Sequence, residues 1–500
     1  MRYASAYRLV LLALVLVGMA LRLAGLDAQP LWLDEAFSLW AARLPVEELP
    51  GWLARIDHHP PLYYFALRSW RAAVGESEWA LRGLSALASV LTIPLLAAAT
   101  RRLLGCEAAL TAAVLVAVAP FQVRYAQEAR MYSLVMVAVT AALAITAGLL
   151  TAREMRGRAW LGLAGSQAAT MLSHHMAAVL FPLALNLGVL LVWLRVRAGN
   201  SSEGWDGVRR SDFGRRWLGA QGLALLLWSP WAWPFVQQVL AVDRDFWIPS
   251  PTVESVSGAM QALTVGRLPL WWPAGWLWTM GAVGLTAVGL WRVRPEVGRL
   301  LGALVVAPLA LALLVGVRRS VFAEHALIWV MAPLLMAAAA GVCLPAKRRL
   351  RTVLLGLLLA ANGLGLWMHY RESAKEPWDQ VAAVVAAHAA PGDRVLFHAS
   401  WVQLPFDYYA GELPGVARQG VPVTLFGRGV LEPRMTTADL PALRAWVAGG
   451  GDVWLVYSHW WYTDPDGLVI ATLDEMRPLY TEWTWPGIVL RRYGLDSSTP

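Results

Sequence analysis

Cysteine and charge are both scarce in this chain of 500 residues. Its two cysteines, Cys106 and Cys343, exclude a disulfide framework and a zinc site built on cysteine. Charged residues make up 15% of the chain and apolar residues 58%, whereas soluble globular proteins average about 25% and about 45–50%. This composition excludes a disordered protein and argues against a soluble multidomain enzyme. The net charge of +8 does not require a nucleic-acid partner, because arginine in cytoplasmic loops of a membrane protein accounts for it.

Long apolar runs recur up to about residue 370. Runs of about 17–25 residues can cross a bilayer as helices, and we predict about eleven of them. They lie near residues 9–26, 80–100, 106–121, 131–151, 159–173, 176–194, 217–236, 273–291, 300–316, 326–344 and 352–370. The first run could be a signal peptide, but it contains Arg22 and lacks a clear cleavage site, so we predict an uncleaved helix.

The segment Pro61–Gly75 is too short to cross the bilayer and carries Arg68 and Arg71. We predict that it forms an amphipathic helix on the membrane surface. The short loops on one side of the membrane then carry most of the arginines, and the longer opposite loops carry most of the acidic residues. Because basic loops face the cytoplasm, we predict a multi-pass plasma (inner) membrane protein with a cytoplasmic N-terminus.

The composition changes near residue 371, and no long apolar run follows Glu376. Helical and strand patterns alternate instead, which favours a small α/β domain. The segment PWDQVAAVVAAHAAPGDRVLFHAS is predicted to form a helix, a Pro-Gly-Asp turn and a strand. The predicted elements after it are a strand around Pro422–Phe426, a helix at Leu440–Val447, a strand at Asp452–Ser458, a helix at Leu468–Met476 and a final strand ending in IVLRRY. We predict a transmembrane domain over residues 1–370 and an extracytoplasmic α/β domain over 371–500.

The first loop predicted on the outer side contains a pair of carboxylates and a pair of histidines. Asp34 and Glu35 follow the first span, where a desolvated carboxylate would be costly. A solvated pair or a helix cap explains them equally well. His58 and His59 precede two prolines and Tyr63, and the plain alternative there is a turn followed by a helix start.

Three later outer loops add further polar residues. They are Glu128, Arg130 and Tyr132, then His174 and His175, and finally Arg318, Arg319 and His325. The histidine pairs could bind a metal with an acidic residue, although histidines hydrogen-bonded in a polar cavity are commoner. Arginines can clamp a phosphate or extend to the membrane interface. Together these residues predict a cavity suited to attack on a phosphate-activated, lipid-borne substrate.

The motifs LDEAFSLW, HPPLYY and QEARMYSL occur in this order within about residues 1–345. They resemble glycosyltransferase family 39, the group of the protein O-mannosyltransferases and the lipid A aminoarabinose transferases. The resemblance implies a mainly α membrane fold of the GT-C class with surface helices in the first outer loop. It also implies a donor sugar on a polyprenyl or dolichyl monophosphate, and inverting transfer on the extracytoplasmic face.

The resemblance assigns roles by position. Asp34 matches the catalytic base and Glu35 a carboxylate that orders the acceptor or the site. His59 stands where relatives carry a donor-facing residue. The polar turns with Glu128, Arg130, His174 and His175 match turns of the family. Relatives often carry an Arg-Tyr pair where this chain has Glu324–His325–Ala326, which leaves Arg318 or Arg319 for the phosphate. A Trp460–Trp461 pair resembles the Trp-Trp-Asp motif of oligosaccharyltransferases, but its spacing to Asp464 differs.

We therefore predict a glycosyltransferase that moves a hexosyl or pentosyl group from a polyprenyl-phosphate sugar to a glycan, lipid or protein acceptor. No cofactor is certain, a divalent metal remains open, and apart from these substrates the expected partner is membrane lipid. One alternative is a transporter or flippase of lipid-linked sugars, but the ionisable residues cluster at helix ends and no internal repeat is visible. Another is a scaffold whose α/β domain binds a cell-wall polymer.

Overall fold

A computed structural model describes residues 2–57, 59–152, 157–245, 250–268, 273–318, 322–372, 375–425, 427 and 433–494. The chain is mainly helical and divides into two compact units. The first, which we call the membrane unit, comprises Met1–Leu26, His59–Gly75 and Trp79–Glu372. The second, which we call the sheet unit, comprises Asp27–His58, Glu76–Glu78 and Ser373–Pro500. Part of the first loop therefore belongs to the sheet unit.

The elements have the following bounds. The helices are α1 (Arg2–Leu23), α2 (Leu33–Arg43), α3 (Leu49–Ile56), α4 (Leu62–Val74), α5 (Glu78–Leu104), α6 (Cys106–Ala117), α7 (Pro120–Ala126), α8 (Tyr132–Thr151), α9 (Gly157–Met171), α10 (His175–Arg197), α11 (Asp206–Arg209), α12 (Phe213–Trp228), α13 (Ala232–Asp245), α14 (Val253–Thr264), α15 (Pro273–Arg292), α16 (Pro295–Arg318), α17 (Met331–Cys343), α18 (Arg348–Arg371), α19 (Trp378–His388), α20 (Gln403–Ala410), α21 (Leu440–Val447), α22 (Trp460–Thr463) and α23 (Leu468–Met476). Short 3-10 helices cover Ser229–Trp231, His325–Val330, Ser400–Val402 and Thr437–Asp439. The strands are β1 (Arg394–His398), β2 (Ala417–Gly420), β3 (Val453–Ser458), β4 (Leu479–Trp485) and β5 (Ile488–Tyr493).

The membrane unit is a multi-span bundle. Among the described residues, seven helices are long and apolar enough to cross a membrane, or eight if the bent pair α6 and α7 is one span. Each predicted apolar run overlaps a helix, but the predicted number of eleven is not confirmed. Helices α9 and α12 have only 15 and 16 residues, fewer than the roughly 20 that an untilted span needs. The segment predicted as a surface helix is helical as α4, with 13 residues and a length of about 20 Å, and its place on the membrane surface stays a prediction.

The break between α6 and α7 explains how an arginine is accommodated in the first span. Pro120 begins α7 and has no N–H, so the carbonyl of Val116 lacks its usual helical donor. The guanidinium of Arg22 donates to this carbonyl at 3.0 Å and to the carbonyl of Ala117 at 2.9 Å. It also donates to Ser89 Oγ at 2.7 Å. The buried charge is thus surrounded by acceptors, as an intramembrane cation requires.

The sheet unit is the predicted α/β domain enlarged by the segment Asp27–His58. Its five described strands form one sheet in the order β2-β1-β3-β5-β4. β1 pairs in parallel with β2 and β3, whereas β5 pairs antiparallel with β3 and β4. Strand β3 is buried along its whole length and forms the centre of the core. The unit therefore holds its loops on a rigid central sheet.

Two sequence predictions for this unit need correction. The strand predicted around Pro422–Phe426 is wrong: the edge strand is β2, which ends at Gly420, and residues 421–425 form bends and a turn. Pro422 cannot donate a ladder hydrogen bond, so the pairing stops before it. Strand β4 was not predicted, because its side chains are mostly exposed and give no clear apolar alternation.

Candidate active site

The membrane unit brings several predicted site residues together at helix N-termini. Tyr132 begins α8, His174 caps α10, and His325 begins the 3-10 helix that leads into α17. The ring of Tyr132 lies 6.1 Å from that of His174 and 5.2 Å from that of His325, measured between centroids. Helix N-termini carry backbone N–H groups without intrahelical partners and a partial positive charge. This end of the bundle is therefore suited to an anion.

His59 and Arg130 complete what we call the histidine cluster: His59, Arg130, Tyr132, His174 and His325. The His59 ring packs edge-on against His174 with centroids 5.5 Å apart. Arg130 is buried, and its Nη2 lies 3.4 Å from His59 Nδ1. A second guanidinium nitrogen donates to the hydroxyl of Tyr64 at 3.3 Å. The cluster thus combines a buried cation with polar rings.

His174 is held in one tautomer by the start of α10. Its Nδ1 accepts a hydrogen bond from the backbone N–H of Met176 at 3.2 Å, so the neutral ring carries its proton on Nε2. Burial lowers the pKa of His174 well below 6.5, and the neighbouring His59 lowers it further. The ring is therefore neutral at pH 7 and has one N–H to donate.

Two more predicted residues support this region. The hydroxyl of Tyr63 lies 3.4 Å from Ser85 Oγ, which donates to the carbonyl of Arg130 at 3.1 Å. Glu128 is buried, and its carbonyl accepts from the backbone N–H of Arg130 at 2.8 Å in a tight turn. Tyr63 and Glu128 thus shape the turn that carries Arg130.

The remaining predicted residues do not join the cluster in the described structure. His175 accepts a hydrogen bond from Trp231 Nε1 at 3.2 Å and packs against Phe235 instead. The side chain of Arg318, and His58 and Arg319 altogether, lie outside the described residues.

Arg267 is a residue that sequence analysis missed. It pairs with the carboxylate of Glu324, the residue before His325. It also lines a cavity of about 200 Å³ together with Arg124 and the apolar side chains of Phe121 and Met368. The only sequence signal was an arginine between α14 and α15, outside the recognised motifs. The lining also includes Glu372, whose Oε2 lies 3.9 Å from Arg124 Nη1, so the cavity combines two ion pairs with an apolar wall.

The acidic pair of the first loop lies in the sheet unit, in the first turn of α2. Glu35 is fully buried, and its Oε2 lies 2.8 Å from the ammonium of Lys375. Asp34 is half-buried, and its carbonyl accepts from Ser38 Oγ at 2.9 Å. The two neighbouring carboxylates thus have different environments. Within the described residues, no group of three or more His, Cys, Asp or Glu side chains has the arrangement of a metal site.

Comparison with known proteins gives one match to a family model and several matches to solved structures. Residues 58–202 match the family described as dolichyl-phosphate-mannose-protein mannosyltransferase. No curated protein matches the chain significantly by sequence. The structure is similar to apo ArnT from Cupriavidus metallidurans, with a TM-score of 0.65 and 14% identity over 98% of both chains.

Two further structures share the fold. ArnT of the same organism bound to undecaprenyl phosphate gives a TM-score of 0.64 at 14% identity, over 98% of this chain and 99% of that one. The oligosaccharyltransferase AglB from Archaeoglobus fulgidus, in complex with an inhibitory peptide and a dolichol-phosphate, gives 0.52 at 12% identity, over 99% and 75%. The predicted fold class is confirmed, and the matched segment supports the predicted enzyme class. The chain thus shares the fold of these membrane glycosyltransferases, and its residues 58–202 are similar to the dolichyl-phosphate-mannose-protein mannosyltransferase family.

Proposed function

We propose that the protein transfers a sugar from a polyprenyl-phosphate donor to an acceptor hydroxyl on the extracytoplasmic face of the plasma membrane, with inversion at the anomeric carbon. The observation that carries this proposal is the histidine cluster, in which a buried arginine and polar rings meet at helix N-termini. Such an arrangement favours an anion with hydrogen-bond acceptors, as a sugar phosphate is.

The chemistry of the leaving group fits this cluster. When the acceptor oxygen attacks C1 of the sugar, the bond from C1 to the phosphate oxygen breaks and its electron pair stays on the phosphate. Fixed cations and N–H donors stabilise the charge that develops there. Arg130 supplies such a cation, and the Nε2–H of His174 supplies a neutral donor. No general acid is needed, because a phosphate anion is already a stable leaving group.

The cavity at Arg267 supports a lipid-linked donor. Phe121, Leu268 and Met368 give it an apolar wall suited to isoprene units. Arg124 and Arg267 also line it, each beside a carboxylate that a donor phosphate would replace as the partner. Similar folds have been solved with undecaprenyl phosphate and with a dolichol-phosphate bound, which supports the same donor class here.

We propose Asp34 as the general base that takes the proton of the acceptor hydroxyl, on the strength of its place in the LDEAFSLW motif. Its half-exposed position in the first turn of α2 is compatible with access by an acceptor. Glu35 is fully buried against Lys375, so we assign it an ordering role. Of the other residues, His59, His174 and His325 remain proposed sugar or phosphate contacts, and Arg318 and Arg319 remain predictions.

The donor assignment can be tested with full-length protein in proteoliposomes supplied with radiolabelled undecaprenyl-phosphate sugars. We expect Arg130→Gln to reduce transfer at least about 100-fold, as expected when a transition-state charge contact is lost. The exposed Arg299 in α16 provides a matched control, and Arg299→Gln should leave transfer unchanged. Equal activity of Arg130→Gln and wild type would contradict the proposal, and donor translocation without transfer would favour the flippase alternative.

A further inference from the structure

The topology of the sheet unit singles out the carboxyl ends of β1 and β3. Strand β1 lies between β2 and β3 and runs parallel to both. After β1 comes α20, whose Phe406 packs on Phe397 with ring centroids 5.0 Å apart. After β3 comes α23, whose Leu473 packs with Leu455 on the opposite face, because Leu455 pairs in register with Leu396. Open α/β sheets bind ligands at such a point, where connections leave neighbouring strands on opposite faces.

Three functional side chains meet just beyond the end of β3, and we call them the strand-end site: Glu376, His459 and Trp461. His459 directly follows β3, and its Nε2 lies 3.8 Å from Glu376 Oε1. The ring of Trp461 lies 5.1 Å from that of His459, measured between centroids. Trp378 Nε1 donates to Glu376 Oε2 at 2.8 Å and fixes the carboxyl group. A carboxylate, an imidazole and an indole are therefore side by side.

Trp461 is the exposed member of the site. It is 57% exposed although neighbouring rings contact it. Trp460 packs edge-on against it at 5.6 Å and Tyr462 lies at 5.9 Å, both measured between centroids. A ring held by its neighbours loses little freedom when a ligand binds to it. Ligand sites commonly combine such an apolar surface with a few placed polar groups.

His459 presents a hydrogen-bond acceptor to the site. Its φ is 58°, in the left-handed region that residues other than glycine seldom adopt. Ser458 Oγ donates to the carbonyl of Gly487 at 2.7 Å and lies 3.0 Å from His459 Nδ1, so the imidazole donates its Nδ1–H to the serine oxygen. Burial lowers the pKa of His459 to about 4, and Asp34 opposes that fall. The ring is therefore neutral at pH 7, and the lone pair of Nε2 faces Glu376.

The chemistry of these groups favours a ligand with hydroxyl groups. Nε2 of His459 and the ionised carboxylate of Glu376 are both acceptors, so neither donates to the other and both suit a hydroxyl donor. The two side chains are 17% and 20% exposed, so part of each remains open. A sugar ring carries hydroxyl groups on its edge and C–H groups on its faces, which match the indole of Trp461. A membrane surface would use the indole without a carboxylate beside it.

We propose that the strand-end site binds a carbohydrate, with one sugar ring stacked on Trp461 and its hydroxyl groups donating to Glu376 and His459, and that this carbohydrate is the acceptor of transfer. The assignment as acceptor rests on the proposed function, whereas the binding site does not.

An ion pair joins this site to the segment that carries the candidate base. Lys375 precedes Glu376 in the chain, and Glu35 follows Asp34. The ammonium of Lys375 lies 2.8 Å from the carboxylate of Glu35, and the two side chains are 12% and 0% exposed. A carbohydrate on the strand-end site is thus held beside the segment of Asp34, as an acceptor requires.

The first test measures binding without turnover. Full-length protein in lipid nanodiscs is titrated with fluorescently labelled oligosaccharides released from isolated cell envelopes by mild acid, and anisotropy gives Kd. Trp461→Ala should weaken binding about tenfold, and Trp461→Phe, which keeps an aromatic face, should weaken it less. Tyr480 is a matched control, because it is 55% exposed on β4 at the end of the sheet where β3 begins. Tyr480→Ala should bind like wild type.

Two results would overturn the carbohydrate site. One is the absence of oligosaccharide binding by the wild type. The other is equal binding by Trp461→Ala and wild type, which would assign the exposed indole to the membrane surface. Glu376→Ala should also weaken binding, because the site loses one of its acceptors.

The second test measures transfer from a radiolabelled undecaprenyl-phosphate sugar to the same oligosaccharides. Trp461→Ala should raise KM for the oligosaccharide about tenfold, with little change in kcat or in KM for the donor. An unchanged KM for the oligosaccharide in this variant would refute the assignment as acceptor. Binding of oligosaccharide by the wild type without any transfer would instead contradict the proposed function and leave the binding site in place.

Discussion

The buried ion pair of the sheet unit yields the sharpest stability prediction. Glu35 is 0% exposed, the side chain of Lys375 is 12% exposed, and their charged atoms are 2.8 Å apart. In Lys375→Met the Glu35 carboxylate would stay buried without this cation. Removing one partner of a buried pair costs about 3–5 kcal/mol, and each kcal/mol lowers the melting temperature of a domain of this size by about 2–4 °C. We therefore expect a loss of about 6–20 °C.

The assay is thermal unfolding of the purified protein in detergent. The chain's other lysine, Lys347, is exposed, so Lys347→Met should melt like wild type. The double variant Glu35→Gln/Lys375→Met removes the buried charge as well, and it should recover part of the lost stability. The reasoning is refuted if Lys375→Met melts like wild type, or if the double variant is no more stable than Lys375→Met.

Three further predictions concern single residues. Burial raises the pKa of Glu376 in the folded protein from 4.5 to about 7, so the contribution of this group to folding stability is fully present below about pH 4.5 and is lost as the pH rises through 7. At pH 8 the variant Glu376→Gln should therefore be more stable than wild type by up to about 3 kcal/mol. Denaturant unfolding of both proteins at pH 5 and pH 8 checks this. Arg267→Gln should raise KM for the lipid donor about tenfold with little change in kcat, because the variant loses a donor-phosphate contact that is proposed to exist in both the ground state and the transition state. A fall in kcat alone, measured by steady-state kinetics, would contradict this. Tyr132→Ala should reduce transfer about tenfold because the His174 and His325 rings lose their shared neighbour, whereas Tyr132→Phe should retain most activity in the same assay.

The membrane helices could be predicted because their length and apolarity are properties of single segments. The number of membrane helices could not be predicted, because a helix as short as α9, with 15 residues, depends on packing against its neighbours. The gathering of Tyr132, His174 and His325 was partly predictable, since each follows a loop on the same predicted side. Arg267 was missed because only its pairing with Glu324 links it to that region.

The sheet unit was harder to predict than the bundle. The alternating helix and strand patterns indicated its class, but they did not indicate that Asp27–His58 belongs to it. The environments of Glu35 and Glu376 depend on Lys375 and His459, whose positions follow from tertiary packing and sheet topology. Residue type alone did not distinguish Asp34 from Glu35, and only the family resemblance assigned them different roles; the burial of Glu35 and the half-exposed position of Asp34 are consistent with that assignment.

Transfer of sugar from an undecaprenyl-phosphate donor by Asp34→Asn tests the central claim most directly. Asp379 is an exposed carboxylate in α19, and Asp379→Asn is the matched control. We predict that Asp34→Asn lowers kcat at least about 100-fold, as the loss of a general base does, while its melting temperature and donor binding stay close to wild type. Full transfer activity in Asp34→Asn would contradict the account.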